Sequence, residues 1–441
     1  MRYRILIRSV LIVALSVLAL SGAALATNGD NLISIGPISR AMGGVGIAAP
    51  QDAISAVFSN PAAMCFGPYC PGSEFNFGTT VFMPKAKTRI KADAINAMTM
   101  GMIDGDTGWK DSDSDLFFIP AVGVSMPINQ NLRFGLAAYG VSGLGVDYRH
   151  KFDLVPDSFA PMFGRAAIHD QDVYTNLSIM KIAPNIAYMV TPNFSIGASF
   201  HINQGSLDMG DGDGTSSGFG FGGQIGAIYK TGPLSFGIVY VLPQTIRHAD
   251  VADFDGDFHT DTLDLQSPQS LGFGIGYEPL PGQLLIEGNV KWLNWQNAKG
   301  YSDFDWKDQW VFNAGIQFKP VKQLAIRAGY NYAENPVEEH NDWNGTPPFF
   351  PGGGDTIDVQ GREVPRFNYE VLRVTGFPAV VEHHVTFGIG YQVTKSLSID
   401  LGYMHAFKKS IKEEGSFGGM PVKIESSLSE DSIDFGITWR F

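Results

Sequence analysis

The last ten residues, SIDFGITWRF (432–441), alternate between large apolar side chains and polar or glycine residues. A period of two with one apolar face predicts a half-buried β-strand. The same alternation recurs in four upstream stretches: FSIGASFHI (194–202), LAIRAGYNY (324–332), VTFGIGYQV (385–393) and LSIDLGYMH (397–405). With 52 glycines and 12% aromatic residues in 441, the composition also favours an all-β chain.

Short turns alternate with long polar loops along the chain. Short turns are predicted near 127–131, 191–193, 231–233, 279–283, 319–323 and 393–396, and long loops at 84–115, 149–170, 210–215, 249–261, 299–307, 335–379 and 412–425. Six turns and seven loops join fourteen strands. This arrangement predicts a 14-stranded antiparallel transmembrane β-barrel over residues 73–441, with its short turns in the periplasm.

A soluble β-sandwich is the alternative, because its strands also alternate. The second face of these strands carries glycine, small polar residues and isolated charges such as Glu287, Lys291, Arg327 and Asp400. Those residues suit the polar interior of a barrel better than the outside of a sandwich.

The N-terminal residues predict export. Arg2, Arg4 and Arg8 precede an apolar run from Val10 to Leu20, and Ala24-Leu25-Ala26 follows as a cleavage site. Residues 1–26 are therefore predicted to be a signal peptide. Removing three arginines changes the formal charge from -13 to about -16, which argues against a nucleic-acid partner.

The two cysteines of the chain, Cys65 and Cys70, flank Gly67-Pro68. An exported chain can oxidise them, and the spacing predicts a local disulfide that contributes about 2 kcal/mol. The spacing differs from the Cys-x-x-Cys of redox-active pairs, and the sequence offers no zinc ligand set beside it.

Residues 27–72 precede the first strand and do not alternate. A barrel of about fourteen strands is wide enough to leak unless something narrows it. The small residues Ala41, Gly43, Gly44, Gly46 and Ala48 would allow close packing against a barrel wall. This segment is therefore predicted to fold back into the lumen as a plug, or hatch.

The stretch SRAMGGVGIAAPQDAISAVFSNPAAM (39–64) is similar to the hatch of the FadL family of outer-membrane transporters for hydrophobic molecules, which includes the TodX-like hydrocarbon transporters. The matching features are Arg40-Ala41, the glycines at 43, 44 and 46, Asp52, and Asn60-Pro61-Ala62. The resemblance covers the mature chain. It implies that the hatch plugs the lumen, that Asn60, Pro61, Ala62 and Arg40 serve gating, and that Asn-Pro-Ala lies against a kink in the third strand, where cargo leaves sideways into the membrane.

The third strand, LRFGLAAYGVSGLGVDYR (132–149), clusters Gly140, Gly143 and Gly145 within six residues. Glycine weakens strands and often marks bulges, so these residues are predicted to form the kink of the lateral opening. Ordinary barrel glycine is the alternative.

Loop 149–170 carries an apolar cluster that predicts a capture site for hydrophobic ligands, namely Leu154, Phe159, Met162 and Phe163. Packing among loops explains it equally well. Lys307 resembles a lysine of the family's fatty-acid transporters and is predicted to contact a carboxylate. The family's arginine partner is not evident in SLDMGDGDG (206–214), which leaves room for neutral hydrocarbons.

Other chemistry has weaker support. DFDGDFHTDTLD (253–264) resembles a calcium loop, yet Phe258 stands where that loop needs glycine, so no metal is predicted. No hydrolase motif is evident, and the chain is predicted to be neither an enzyme nor dependent on a cofactor.

The sequence thus predicts an outer-membrane barrel that passes hydrophobic molecules, long-chain fatty acids in particular, by passive diffusion. Aromatic hydrocarbon uptake, a structural or adhesive barrel, and a porin are the alternatives. The predicted partners are the hydrophobic cargo, outer-membrane lipid, and the barrel-assembly machinery, which would bind the terminal strand ending in Phe441.

Overall fold

Fourteen antiparallel strands close into one barrel, as the sequence predicts. The structure, a computed structural model, describes residues 28–65, 72–98, 105–152, 173–210, 214–255, 257, 259–348 and 351–441. Each strand pairs with its sequence neighbours, and the first strand pairs with the last over its whole length, from Glu74 opposite Arg440 to Ala92 opposite Val422. The barrel strands are β1 Glu74–Ala92, β2 Phe117–Pro127, β3 Leu132–Asp147, β4 Tyr174–Thr191, β5 Phe194–Asp208, β6 Ser216–Thr231, β7 Leu234–Val241, β8 Ser270–Leu280, β9 Leu284–Leu293, β10 Gln309–Val321, β11 Leu324–Ala333, β12 His383–Gln392, β13 Leu397–Phe417 and β14 Met420–Arg440.

Alternation places apolar side chains outside. On β14, Ile433 and Trp439 are about half exposed, whereas Asp434 and Thr438 are buried and face inward. This arrangement is the reverse of a soluble protein and is what a lipid-facing barrel requires. Among the described residues no helix is long and apolar enough to cross a membrane.

The remaining elements are short. The described residues include the helices α1 Pro37–Ala41, α2 Ala53–Ser59, α3 Asp93–Met98 and α4 Arg366–Val371, the last continuing into a π-helical turn at Leu372–Gly376. Turns of 3-10 helix cover Pro61–Cys65 and Trp295–Asn297. Short strands in the loops are Lys110–Asp111, Gln244–Ala252, Asp261–Ser267, Asn341–Asn344, Thr356–Val359 and Arg362–Pro365.

All six predicted short turns lie between barrel strands. Two of the predicted long loops are wrong. Strand β1 continues to Ala92, and β13 and β14 continue to a Gly418-Gly419 turn, so residues 84–92 of the first loop and all of 412–425 except that turn are barrel strand. In this upper part the alternation is inverted: Val422 and Ile424 face inward, and Lys423 and Glu425 lie on the outer face. Because the outer face carries charged residues here, these stretches look like polar loops in the sequence.

Candidate functional site

The described residues before the first strand, 28–65, form one segment inside the barrel, called the N-terminal segment below. Nearly every side chain from Asn28 to Ala63 is buried. The segment bonds to walls on different sides of the lumen. Arg40 reaches β14, Glu287 on β9 accepts hydrogen bonds from the amides of Gly46 (3.0 Å) and Ala48 (2.8 Å), and Ser195 on β5 donates to Ala62 O.

Arg40 attaches helix α1 to the last strand. Its Nε lies 2.8 Å from Asp434 Oδ1, and its Nη2 donates to Ser432 Oγ at 2.8 Å. The side chains of Arg40 and Asp434 are each 1% exposed. Thr80 on β1 donates to the same carboxylate. A buried, hydrogen-bonded ion pair of this kind fixes position, because either partner alone is costly to bury.

Glycine allows backbone-to-backbone contact between the N-terminal segment and the wall. A Cβ at Gly43, whose φ is +69°, would lie 2.6 Å from the backbone of Tyr330. A Cβ at Gly329 would lie 2.1 Å from Gly43 N. Neither position tolerates a side chain, which explains the small-residue composition of both partners.

The Asn60-Pro61-Ala62 turn forms hydrogen bonds with three neighbouring strands of the wall. Asn60 Nδ2 donates to Ile47 O (2.8 Å) and to Ile238 O on β7 (3.2 Å), and its Oδ1 accepts from Ala62 N (3.0 Å). The turn packs on Gly197 of β5 and Gly226 of β6, where a Cβ would collide with it. Its hydrogen bonds connect it to β5, β6 and β7. The 3-10 turn Pro61–Cys65 also lies near the third strand, and a role of Asn60-Pro61-Ala62 against a kink there stays a prediction.

Strand β3 contains a bulge at its glycine cluster. Gly140 pairs with Met180 and Ser142 with the preceding residue Ile179, so Val141 is the extra residue. Gly140 borders the bulge, whereas Gly143 and Gly145 lie in regular register above it. The bulge matches the predicted kink in position; a gating role for the glycines stays a prediction.

Beyond this bulge β3 is no longer paired with β2. Strand β2 pairs with β3 from Pro127 to Ala121 and then diverges, so residues 140–147 have no partner on β2. The N-terminal segment takes that place: Leu32 N donates to Val141 O (3.2 Å) and Gly143 N donates to Asp30 O (3.1 Å). These residues, 30–32 and 140–147 with the facing end of β2, are called the seam below.

An aromatic cluster holds the outer side of the seam. The hydroxyl of Tyr301 donates to Asp30 Oδ2, and Gly29 packs against the indoles of Trp295 and Trp306. The three rings contact one another at centroid distances of 4.6 to 5.1 Å. Burial raises the pKa of the Asp30 carboxyl to about 6, while the hydrogen bond from Tyr301 acts in the opposite direction.

This pKa predicts that the seam weakens as pH rises. Because the folded-state pKa of Asp30 lies above its usual 3.8, the protonated carboxyl stabilises the attachment. That contribution is complete below pH 3.8 and is lost as pH rises through about 6, and it amounts to roughly 3 kcal/mol. Hydrogen exchange at the Leu32 and Gly143 amides, corrected for intrinsic rates, should show protection falling between pH 4.5 and 7.5. Asp30→Asn should remove the dependence; unchanged protection in wild type would contradict this account.

A cavity of about 100 Å³ lies behind the seam. Its apolar lining includes Leu32, Ile47, Phe58, Val141, Val239 and Leu293. Three cationic or ionisable side chains also line it: Lys181 on β4, His201 on β5 and Lys291 on β9. Lys181 is 7% exposed and His201 is 1% exposed. Within the described ranges neither lysine has an ion-pair partner.

The sequence analysis did not single out Lys181, and the structure places Lys307 away from this cavity. Lys307 lies in the loop before β10, where its side chain is about half exposed and its Nζ is 3.3 Å from a Glu338 carboxylate oxygen. Its predicted contact with a cargo carboxylate stays a prediction. Lys291 was correctly predicted to face the lumen. Lys181 lies in the apolar run SIMKIA (178–183) of β4. Its position in the alternation of that strand, where odd-numbered residues face inward, is the sequence feature that could have identified it.

Several predicted residues lie outside the described ranges. These are the capture residues Leu154, Phe159, Met162 and Phe163, the cysteine Cys70 and the predicted signal peptide. The backbone of Cys65 ends the 3-10 turn, and the disulfide stays a prediction.

The described part of the chain contains two clusters of side chains that could offer metal ligands, and within each cluster the ligand atoms lie within 4.8 Å of one another. The clusters are Asp253, Asp255 and Asp261, and His340, Glu370 and Glu413. Arg362 pairs with Asp261 at 2.7 Å. In the second group Arg373 contacts both glutamates and supplies the positive charge there. Neither arrangement points to a metal.

A lipid-facing barrel of fourteen strands, filled by its own N-terminal segment and holding an apolar cavity beside a strand edge that β2 leaves free, defines an outer-membrane channel for hydrophobic molecules. Residues 13–278 match the family model described as outer membrane protein transport protein (OMPP1/FadL/TodX). The chain belongs to this family, whose members are transport channels of the outer membrane.

Solved structures share this fold. The toluene transporter TodX of Pseudomonas putida aligns with a TM-score of 0.62 at 19% identity, covering 94% of this chain and 100% of that one. A FadL homologue of Pseudomonas aeruginosa aligns with 0.61 at 15% identity, covering 96% and 100%. The toluene transporter TbuX of Ralstonia pickettii aligns with 0.58 at 17% identity, covering 92% and 98%. No curated protein matches in sequence.

Proposed function

We propose that this protein admits hydrophobic molecules with a carboxylate head group, long-chain fatty acids in particular, by passive diffusion. One observation carries the proposal: the apolar cavity behind the seam contains two lysines that have no acidic partner among the described residues. An uncompensated buried cation is costly, and an anionic ligand would remove that cost. A neutral hydrocarbon would leave both charges unpaired.

The seam supplies the proposed exit. Val141, the extra residue of β3, lines the cavity, and so does Leu32, which hydrogen bonds to it. Displacing residues 30–32 would break two backbone hydrogen bonds and connect the cavity with the bilayer between β2 and β3. The N-terminal segment, as residues 27–72 of the mature chain, then acts as a hatch that blocks the axial route and leaves the sideways one. Export by the signal peptide and assembly through the Phe441 strand belong to the same proposal.

Aromatic hydrocarbon uptake is the second candidate. The names of TodX and TbuX state toluene as their cargo, and most of the cavity wall is apolar. The lysines distinguish the two candidates, because toluene gains nothing from a cation in this position beyond a weak contact with its ring face.

The test is uptake of labelled oleate and, separately, of labelled toluene in cells that lack their own transporter. The cells would express wild type or Lys181→Met/Lys291→Met at matched surface levels. Since a charge-assisted contact contributes about 1.5–3 kcal/mol, oleate uptake at limiting concentration should fall by tenfold or more, while toluene uptake should not fall.

Lys307→Met is the control, because it removes one lysine charge from a loop away from the cavity and should leave oleate uptake unchanged. Unchanged oleate uptake in the double variant would remove the carboxylate role of the lysines. Uptake of toluene alone by wild type would favour the second candidate, and uptake of neither would favour an adhesive barrel.

A further inference from the structure

The cavity behind the seam is small, with a volume of about 100 Å³. An apolar cavity of roughly 150 Å³ in another protein encloses one benzene molecule. The cavity is therefore of the size of one aromatic ring and has no room for a second. A chain as long as that of oleate would have to extend out of it through the seam, whereas an acid with a single ring would lie inside it with residues 30–32 in place.

Two aromatic side chains form one wall of the cavity. Phe58, near the end of α2, and Tyr139 on β3 both line it, and their rings meet edge to face with centroids 5.6 Å apart and an angle of 85° between their planes. Gln224 on β6 holds Phe58 in place, because its Nε2 donates to the Phe58 carbonyl oxygen at 3.1 Å. Edge-to-face contacts favour aromatic partners beyond the area that they bury, so this wall suits a ring better than an aliphatic chain.

Lys181 lies beside the aromatic wall. Tyr139 on β3 is the direct cross-strand partner of Lys181 on β4, and the Cβ atoms of such a pair lie about 5 Å apart. Asn203 on β5 is the partner of Lys181 on the other side, but its amide nitrogen donates to Gln244 Oε1 at 2.6 Å. The Lys181 ammonium and the Tyr139 hydroxyl are therefore the two neighbouring donors that a ligand beside Phe58 can use.

Both donors are buried without a partner. Tyr139 is 1% exposed, and among the described residues its hydroxyl has no hydrogen-bond acceptor and the Lys181 ammonium has no ion-pair partner. Buried donors of this kind cost free energy until an acceptor binds. A carboxylate can accept from both at once, because each of its two oxygens offers lone pairs.

We propose that the cavity binds carboxylic acids with a single aromatic ring, of which benzoate is the simplest. Their carboxylate would accept hydrogen bonds from Lys181 and Tyr139, and their ring would lie against Phe58. The inference rests on the proposed carboxylate role of the lysines and adds the shape of the cargo to it, with the Tyr139 hydroxyl as a specificity-determining donor. Because Tyr139 precedes the bulged residue Val141 by two positions, a ligand held there lies next to the seam.

The experiment is equilibrium dialysis of the full-length protein in detergent at pH 7.5 against labelled benzoate, 2-naphthoate and toluene in turn. Wild type should bind benzoate about tenfold or more tightly than toluene, because only benzoate makes a charge-assisted contact. It should also bind benzoate more tightly than 2-naphthoate, although the second ring would add apolar burial in a larger cavity.

Tyr139→Phe keeps the ring and removes the hydroxyl. It should weaken benzoate binding by roughly fivefold or more and leave toluene binding unchanged. Tyr188→Phe is the matched control, because it removes the same hydroxyl from the outer face of β4, where Tyr188 is 46% exposed, and should leave benzoate binding unchanged. Heat-modified electrophoretic mobility would verify that each variant is a folded barrel.

Full benzoate binding by Tyr139→Phe, or an equal loss in Tyr188→Phe, would overturn the role of Tyr139. Tighter binding of 2-naphthoate than of benzoate would overturn the limit to one ring. If benzoate does not bind while oleate uptake still depends on Lys181 and Lys291, this inference falls and the proposed function stands. Benzoate binding that survives Lys181→Met/Lys291→Met would count against both.

Discussion

Arg40→Met should destabilise the barrel by about 3–5 kcal/mol, the range for removing one partner of a buried ion pair. The remaining carboxylate of Asp434 would be buried with the Thr80 hydroxyl as its one hydrogen-bond donor among the described residues. Helix α1 would lose its attachment to β14, so the N-terminal segment should no longer block the lumen fully. Urea unfolding in detergent measures the first effect, and sugar permeability of proteoliposomes measures the second.

Two controls separate the ion pair from general damage. Lys299→Met removes an exposed cation 2.5 Å from Asp264 and should cost less than about 1 kcal/mol. Arg40→Met/Asp434→Leu removes both buried charges and should recover most of the stability, since apolar replacements of buried pairs are often neutral. Unchanged stability and no sugar leak in the single variant would contradict the anchoring role of Arg40.

The barrel was predictable because its evidence is local. In 432–441, each apolar residue that the alternation places outside is at least partly exposed. Five of the six short turns contain Gly, Pro or Asn between alternating stretches, and the sixth, 393–396, is mostly polar. The same local evidence failed above the membrane edge. There the phase of the alternation inverts, so the apolar residues Val422 and Ile424 face inward, and a pattern of outward charges was interpreted as loop.

The candidate site was less predictable, because it joins distant parts of the chain. The cavity brings residues of the N-terminal segment together with Lys181 on β4 and Lys291 on β9. Alternation shows that a lysine faces the lumen but not at which level, or what faces it. Lys307 was selected by resemblance to a family stretch, and its loop places it beside Glu338 instead.

The bulge shows the same limit on a smaller scale. Three glycines indicated the correct part of β3, yet the extra residue is Val141, whose side chain carries no signal for a bulge. Register is a property of two strands, and the shift becomes visible only when Met180 and Ile179 are assigned as successive partners of Gly140 and Ser142.

Deleting Val141 should close the seam and abolish most uptake. Without the extra residue, β3 would pair with β4 in continuous register and straighten, which brings residues 140 onward toward the free edge of β2 at 117–120. Two or more new ladder hydrogen bonds, each contributing about 1 kcal/mol, would lower the open population by roughly tenfold or more. The measurement is initial uptake of labelled oleate, with toluene as the second cargo, at matched surface levels.

Val141→Ala is the control that decides between the seam and the side chain. It keeps the extra residue and the hydrogen bond from Leu32 to the backbone carbonyl at 141, so it should keep the bulge and retain uptake. If the deletion abolishes uptake of both cargoes and Val141→Ala does not, transport is assigned to the opening between β2 and β3, whatever the cargo. If the deletion assembles normally and still transports, cargo does not leave through the seam. The route would then have to pass the N-terminal segment along the barrel axis, where Arg40 and the contact between Gly43 and Gly329 hold it against the wall.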